Sequence, residues 1–371
     1  MASASDVVVV GSGVIGCCVT YELTRRGARV TLLDDRAPGM GATQASAGML
    51  APHLEVPNEG PLLDLTTRGL QCYDQFVARV SQDSGVAVEY RRTGSLSVAA
   101  PGEDASRFAR LAEVLRDRGV AAQALDGANL RREEPSLASD LRGGLLIASH
   151  GYVSATALTE ASAQAARLHG ARLERSSRVC RIRSDAKGIR VETADAAHTT
   201  GHVVIAAGAW SGSVEVQGAA PLPLHPVRGQ LLYLQFQQPV LRRITWTDRC
   251  YLVPRADGSV LVGATVEHVG FDERTTVAGV SELLDAARAI VPCFERAVFA
   301  GARAGLRPKS ADDLPVIGWS VALPEVMYAT GHYRNGILLA PLTAELVADA
   351  LLDGRVDALL ASTNPARFGV V

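Results

Sequence analysis

Val7-Val8-Val9-Val10 runs straight into Gly11-Ser12-Gly13-Val14-Ile15-Gly16, and no other stretch of the 371-residue chain restricts its fold so sharply. Four consecutive β-branched residues fit a parallel strand buried on both faces. The three glycines then have separate tasks: Gly11 for the tight turn, Gly13 for close approach of backbone to a pyrophosphate, Gly16 for packing of the next helix on the strand. That helix carries Ile15, Val19 and Leu23 on one face, and Gly27 stands where a C-terminal cap is expected. Its unpaired N–H groups and dipole offer an anion site. Val30-Thr31-Leu32-Leu33 makes a second strand ending at Asp34, about twenty residues past the glycines. A carboxylate there takes the ribose hydroxyls of an adenosine and disfavours a 2′-phosphate. Adjacent Asp35 reads as a solvated charge.

Bulk properties narrow the partners. A net charge of -2 gives no reason to expect nucleic acid or an anionic membrane surface. No apolar run reaches the length of a membrane span and the start lacks a signal-peptide layout, so a cytoplasmic location without an integral membrane segment is expected. The cysteines at 17, 18, 72, 180, 250 and 293 form no CxxC pair, which speaks for reduced thiols and against a zinc site or disulfide framework. No histidine pair has metal spacing either.

The remaining chain alternates between helical and strand periods. Residues 36 to 52 are rich in Ala, Gly and Ser, as backbone laid close to a flat ligand would be. Leu62 to Ser84 has helical spacing and stops at Gly85. Two short strands, Val86 to Tyr90 and Ser95 to Ala99, are expected to flank a turn at Thr93-Gly94. Helices are expected over Phe108 to Arg118 and from Leu130 to the stop at Pro135. Leu145 to Ala148 reads as a strand, and Ser154 opens a helix to Gly170 with Leu158, Ala161, Ala165 and Leu168 facing inward. Arg172 to Glu192 alternates as β structure. Val203-Val204-Ile205 is again a buried strand, ending at Ala207-Gly208-Ala209-Trp210, and implies a return to the first sheet. Gln230 to Phe236, Cys250 to Pro254 and Ser259 to Ala264 alternate as a mixed or antiparallel sheet, followed by a helix over Ser281 to Val291. Val326 to Thr330 is a strand leading through a glycine-bounded loop, Gly331 to Pro341, into a helix over Leu342 to Leu352, whose positive end would face back toward the loop.

The fold class expected is α/β: a Rossmann-like cofactor domain interleaved with a smaller α+β substrate domain on a mostly antiparallel sheet. The division assigned is 1–85, 146–218 and 301–371 to the cofactor domain, with 86–145 and 219–300 to the substrate domain. Chemistry then belongs where the two meet.

Five groups of residues carry a resemblance. They are the glycine fingerprint ending at Asp34, Ser46-Ala47-Gly48-Met49-Leu50-Ala51-Pro52, Ala207-Gly208-Ala209-Trp210, Gly305-Leu306-Arg307-Pro308 with Pro315-Val316-Ile317-Gly318, and Gly331-His332-Tyr333-Arg334-Asn335-Gly336. Together they resemble the FAD-dependent amine oxidases of the D-amino-acid oxidase superfamily. Ala47 to Pro52, Cys250 to Arg255 and Gly331 to Pro341 favour its glycine oxidase branch. The resemblance implies that Arg307 pairs with a substrate carboxylate, that Tyr251 donates its hydroxyl to it, and that Arg334 lines the site. It implies FAD contacts at Gly11, Gly13, Val14, Ile15, Gly16, Asp34, Ala42, Thr43, Ala47, Gly48, Met49, Val179 and Gly208. His332, Tyr333, Arg334, Asn335, Gly336, Ile337 and Leu338 would close round the flavin ring. It also implies a homo-oligomer, oxygen as acceptor, a small amino-acid substrate, and a link to thiamine's thiazole ring. Relatives that tether FAD do so through a cysteine in the C-terminal region, and none follows Cys293, so noncovalent FAD is expected. Two positions depart from the branch: Arg249 stands where a relative has histidine, and Val266 where methionine is frequent.

The residues' own chemistry is compatible. Arginine's planar fork matches a carboxylate in two parallel hydrogen bonds, and tyrosine is a neutral donor. Fixing the carboxylate aims the α C–H at a flavin, where hydride transfer leaves an imine. Without the resemblance, Arg307 reads either as such a ligand or as a surface ion-pair partner, and Tyr251 either as a donor or as a core tyrosine. His332 reads as a structural or flavin-side residue. The alternatives in function are a sarcosine or D-amino-acid oxidase or dehydrogenase, an NAD-linked dehydrogenase on the same fingerprint, and a flavoprotein without amine turnover.

Overall fold

The computed structural model describes residues 5–56, 59–99, 104–176 and 178–371. The valine run forms β1, Ser5–Val10, followed by helix α1, Val14–Arg25, and β2, Val30–Asp34. β1 pairs in parallel with β2 on one side and with strand Ala197–Ile205 on the other. Val7 and Val9 enter one apolar core with α1, while Val8 and Val10 enter another on the opposite face. That is why the run is continuous and not alternating: both faces of the strand are covered, each valine contributing roughly 1.5 kcal/mol or more. Ala197–Ile205 pairs in parallel with strand Val326–Thr330, so the chain does come back twice to the first sheet.

The second sheet holds eight strands and covers the other side of the molecule. It includes Ser95–Val98, Gly143–Ile147, Leu224–Gln235, Tyr251–Pro254, Ser259–Gly263 and Val298–Ser310. Its pairings are antiparallel except for one, between Ile244–Trp246 and Ser95–Val98. The architecture is therefore the α/β arrangement expected, with a mostly antiparallel second sheet. Helix Val277–Ile290 packs on one face of that sheet. The opposite face, with Leu231, Tyr251, Val253 and Leu261, packs against Ala47 and Tyr152.

Several local expectations change. The expected pair of strands around Thr93-Gly94 is not a hairpin. Val86 to Glu89 form no strand, Tyr90–Arg91 pairs with Gly151–Val153 in a small third sheet, and Ser95–Val98 belongs to the large second sheet. The Gly94 N–H donates to the His150 carbonyl (2.9 Å), so the turn is a corner between sheets. Leu168 is 63% exposed: it ends helix Ala155–Leu168, where the last turn leaves the core.

The largest shift concerns the last helix, which begins at Gly336 and not after Pro341. A proline inside a helix removes the N–H that would bond the carbonyl four residues earlier, here that of Ile337. Tyr73, fully buried on helix α3 (Pro61–Ser84), donates its hydroxyl to that carbonyl instead. A tertiary donor replaces the missing local one, and the helix runs through.

Candidate active site

A long cleft opens at the carboxyl ends of the parallel strands. Val10 at the end of β1 and Gly11 after it, Leu33 and Asp34 in β2, Ala206 and Ala207 after Ala197–Ile205, and Ala329 and Thr330 of the last strand all line it. Ligands of open α/β sheets sit in this position. Gly229, Tyr251, Arg307 and Pro308 from the second sheet complete the wall.

At the β1–α1 turn Gly11 and Gly16 do what their spacing predicts. A Cβ on Gly16 would lie 1.8 Å from the Gly11 carbonyl oxygen, and one on Gly11 would lie 2.5 Å from the Ala206 carbonyl oxygen. Gly16 therefore packs behind the turn and is the one predicted cofactor residue that does not line the cleft. No side chain caps the start of α1. Asp34 accepts from the Ser12 N–H (2.5 Å) and hydroxyl (2.8 Å) on Oδ2 and from the Arg36 N–H (2.8 Å) on Oδ1. Oδ1 retains a lone pair for a ribose hydroxyl, while both of Oδ2's are taken by Ser12. Trp210 stands beside it with Arg36 4.6 Å and Arg178 5.7 Å from its ring centre. Arg36 also makes a two-pronged ion pair with Glu273 (2.9 and 2.8 Å), which crosses from the loop after strand Ser259–Gly263.

The other end is built from residues far apart in sequence. Gly229 leaves space that Arg307 fills, since a Cβ there would lie 2.2 Å from Arg307 Nη2. Gly263 does the same for Tyr251, whose ring atoms lie 2.5 Å from where its Cβ would be. Arg307 donates from Nη1 to the Thr265 carbonyl (3.0 Å), which fixes the guanidinium plane. Burial pushes the Tyr251 phenol up, against the pull of neighbouring Arg307, so it stays a protonated donor. Trp246 stacks on Tyr251 at 5.8 Å, and Arg334 lies over Trp246 at 5.6 Å. His332 is buried, bonded through Nε2 to the Thr343 hydroxyl (3.0 Å), and held by burial at about 3, hence neutral.

Helix Gly336–Leu352 points its N-terminus at the same cleft, with Gly336, Ile337 and Leu338 in the wall. Asn335 at its cap position makes no capping bond, and its buried Oδ1 has no hydrogen-bond partner. Unfilled N–H donors at the helix end and an orphaned acceptor oxygen beside them fit a planar ligand that presents both acceptors and an N–H donor. Tyr333, in the preceding loop, has a left-handed backbone (φ 48°) held by its N–H donating to the Pro308 carbonyl (2.9 Å).

The structure thus gathers Val14, Ile15, Asp34, Ala42, Thr43, Ala47, Gly48, Met49, Val179 and Gly208 with Tyr251, Arg307 and the loop from His332 to Leu338 around one cleft. Val266 is half exposed and Arg249 exposed, and neither lines it. No cysteine is among the described residues lining it. Glu55 is in the wall and was not foreseen. Its only signal in the sequence is an acid ending the apolar run from Ala47.

A parallel-sheet cleft with this turn, this acid and an open helix end defines a flavin-dependent oxidoreductase, and the chain belongs to the FAD dependent oxidoreductase family, whose model matches residues 6–350. It is an enzyme, and FAD is its cofactor. More narrowly, it is 34% identical over 346 residues to the glycine oxidase of Geobacillus kaustophilus, covering 93% of this chain and 92% of the relative. The crystal structure of that organism's glycine oxidase superposes with a TM-score of 0.94 at 33% identity, covering 98% of this chain and 99% of the other. The bifunctional protein ThiO/ThiG of Nostoc sp. is 33% identical over 98% of this chain, which spans 55% of that longer protein. Among the described residues no helix is long and apolar enough to cross a membrane, and no cluster of metal-ligating side chains was found.

Proposed function

We propose that this enzyme oxidises glycine and other small amines such as sarcosine and small D-amino acids, with oxygen as acceptor, giving the oxo acid, ammonia or an amine, and hydrogen peroxide. The observation that carries this reading is that half-buried Arg307, on strand Val298–Ser310, and buried Tyr251, on strand Tyr251–Pro254, both line the cofactor cleft from the second sheet. An arginine fixed through one nitrogen to a carbonyl keeps further donors for a carboxylate, and a protonated phenol adds one more. Gripping the carboxylate orients the α C–H toward the cleft and leaves the amino group to lose its proton to water beforehand. Bound FAD would supply the two-electron acceptor for the hydride. Neutral His332 keeps its wall of the site uncharged, and the N-terminus of helix Gly336–Leu352 favours negative charge nearby.

The cofactor would be held noncovalently, mainly by residues 1–85, 146–218 and 301–371, and the substrate where these meet 86–145 and 219–300, with Tyr251 reaching it from the latter set and Arg307 and Arg334 from the former. The likeness to ThiO/ThiG supports a place in thiamine's thiazole synthesis, and a cytoplasmic homo-oligomer completes the reading. Mixing the purified yellow protein with glycine, sarcosine or D-alanine without air should bleach the flavin, and readmitting air should restore it with peroxide release. Inertness to all three amines overturns the proposal.

A further inference from the structure

Three charged side chains face the substrate end of the cleft: Arg307, Arg334 and Glu55. Glu55 ends the short helix α2, Pro52–Glu55. Its side chain is only 8% exposed, and Oε2 lies 3.0 Å from Arg334 Nε. The approach is not a hydrogen bond, and Oε2 has no hydrogen-bond partner. The helix is anchored from behind: His53 Nδ1 lies 2.9 Å from His150 Nε2, and His150 Nδ1 lies 2.7 Å from the Ser95 hydroxyl. Both rings are buried and stacked at 5.2 Å. The carboxylate is therefore held on one side of the cavity, against one of its two arginines.

We infer that Glu55 is the built-in counter-charge of Arg334 and is a specificity-determining residue, restricting the pocket to amines that carry a single carboxylate. The inference rests on the reading that Arg307 takes the substrate's carboxylate. The count runs as two guanidiniums against one carboxylate, leaving one positive charge for one anion. A second carboxylate would meet an arginine already neutralised and an acid that repels it. Removing the acid leaves the Arg334 guanidinium in the cleft wall without its counter-charge, which then favours any anion within reach. Burial pushes the Glu55 carboxyl up, while Arg334 and then Arg307 pull it down.

The test is a titration of the FAD-loaded enzyme with acetate and with malonate, reading the flavin absorption band. The wild type should bind malonate no more tightly than acetate. In Glu55→Gln, malonate should gain at least ten-fold over any change in acetate, and iminodiacetate or D-aspartate should gain similarly over sarcosine in bleaching rate. In Glu55→Gln/Arg334→Gln that gain should vanish. Equal tightening of both anions, or a gain that survives the second substitution, overturns the assignment. Should Glu55→Gln fail to fold, Arg334→Gln carries the test, because it leaves Glu55 uncompensated: acetate should then weaken at least ten-fold, and unchanged binding overturns the pairing. Bleaching by sarcosine with no malonate gain defeats Glu55 alone, whereas a flavin perturbed by no anion and bleached by no amine defeats the carboxylate pocket as well.

Discussion

The two ends of the cleft are made in different ways. At the adenosine end, β1, α1 and β2 supply the turn, the helix terminus and Asp34 from thirty consecutive residues, 5–34, and the tight contacts there are between neighbouring backbone segments. At the substrate end, Glu55, Tyr251, Arg307 and Arg334 arrive from four separate elements, and the tight contacts are side chains filling room left by glycines. Geometry at the first end depends on backbone that cannot move. At the second it depends on the charge and shape of side chains, which can be changed with less risk to the fold.

That contrast can be broken at either end, and the effects should grade accordingly. The largest should follow Gly16→Ala. A Cβ 1.8 Å from the Gly11 carbonyl forces backbone apart, so a loss of about 3 kcal/mol or more in stability and colourless purified protein are expected, read by thermal melting and flavin absorbance. Arg307→Ala should instead leave the melting temperature and flavin content near wild type. It should lower kcat/KM for carboxylate-bearing amines by about 2–5 kcal/mol, the cost of truncating one partner of a desolvated charge pair. Equal losses in folding and turnover for Arg307→Ala would erase the distinction.

Acid should also act on the fold at the substrate end. His332, His150 and His53 are all held below the ordinary histidine value by burial, His332 at about 3. The unfolded chain then binds protons that the folded one refuses, so stability falls as pH drops below about 6.5, by up to about 1.4 kcal/mol per unit for each such ring until its folded value is reached. Urea melts from pH 7 to pH 5 would show it, and a flat profile would mean that these rings take protons while folded. The smallest effect should come from Arg36→Ala. Its ion pair with Glu273 ties a cleft-lining residue to the loop after strand Ser259–Gly263 but is partly solvated, so roughly 0.5–1 kcal/mol of FAD affinity is at stake, measurable by fluorescence titration of apoprotein.

How much of this was legible follows from the same contrast. The β1–α1–β2 unit could be read residue by residue because its constraints are local: strand period, turn glycines, an acid at fixed distance. Tyr251 and Arg307 were picked out through resemblance, and the structure puts them on one cleft. Glu55 escaped because nothing in a run of small apolar residues says which distant arginine an acid will meet. The strands around Thr93 and Gly94 were misjoined because a turn signal specifies a reversal, not which sheet each arm enters. The start of the last helix was misplaced because Pro341 is a local stop signal overruled by a distant hydroxyl.

That hydroxyl ties two positions into one decision. The carbonyl of Ile337 answers to Tyr73 only because the pyrrolidine of Pro341 has nothing to give it. Stripping the phenol at 73 would leave a buried oxygen with no suitor, whereas an amide restored at 341 would find a second lone pair waiting. Losing the phenol should therefore hurt less once residue 341 carries an amide, so drift at one site opens or closes what the other can become, and the wall of the cleft at Ile337 inherits the outcome.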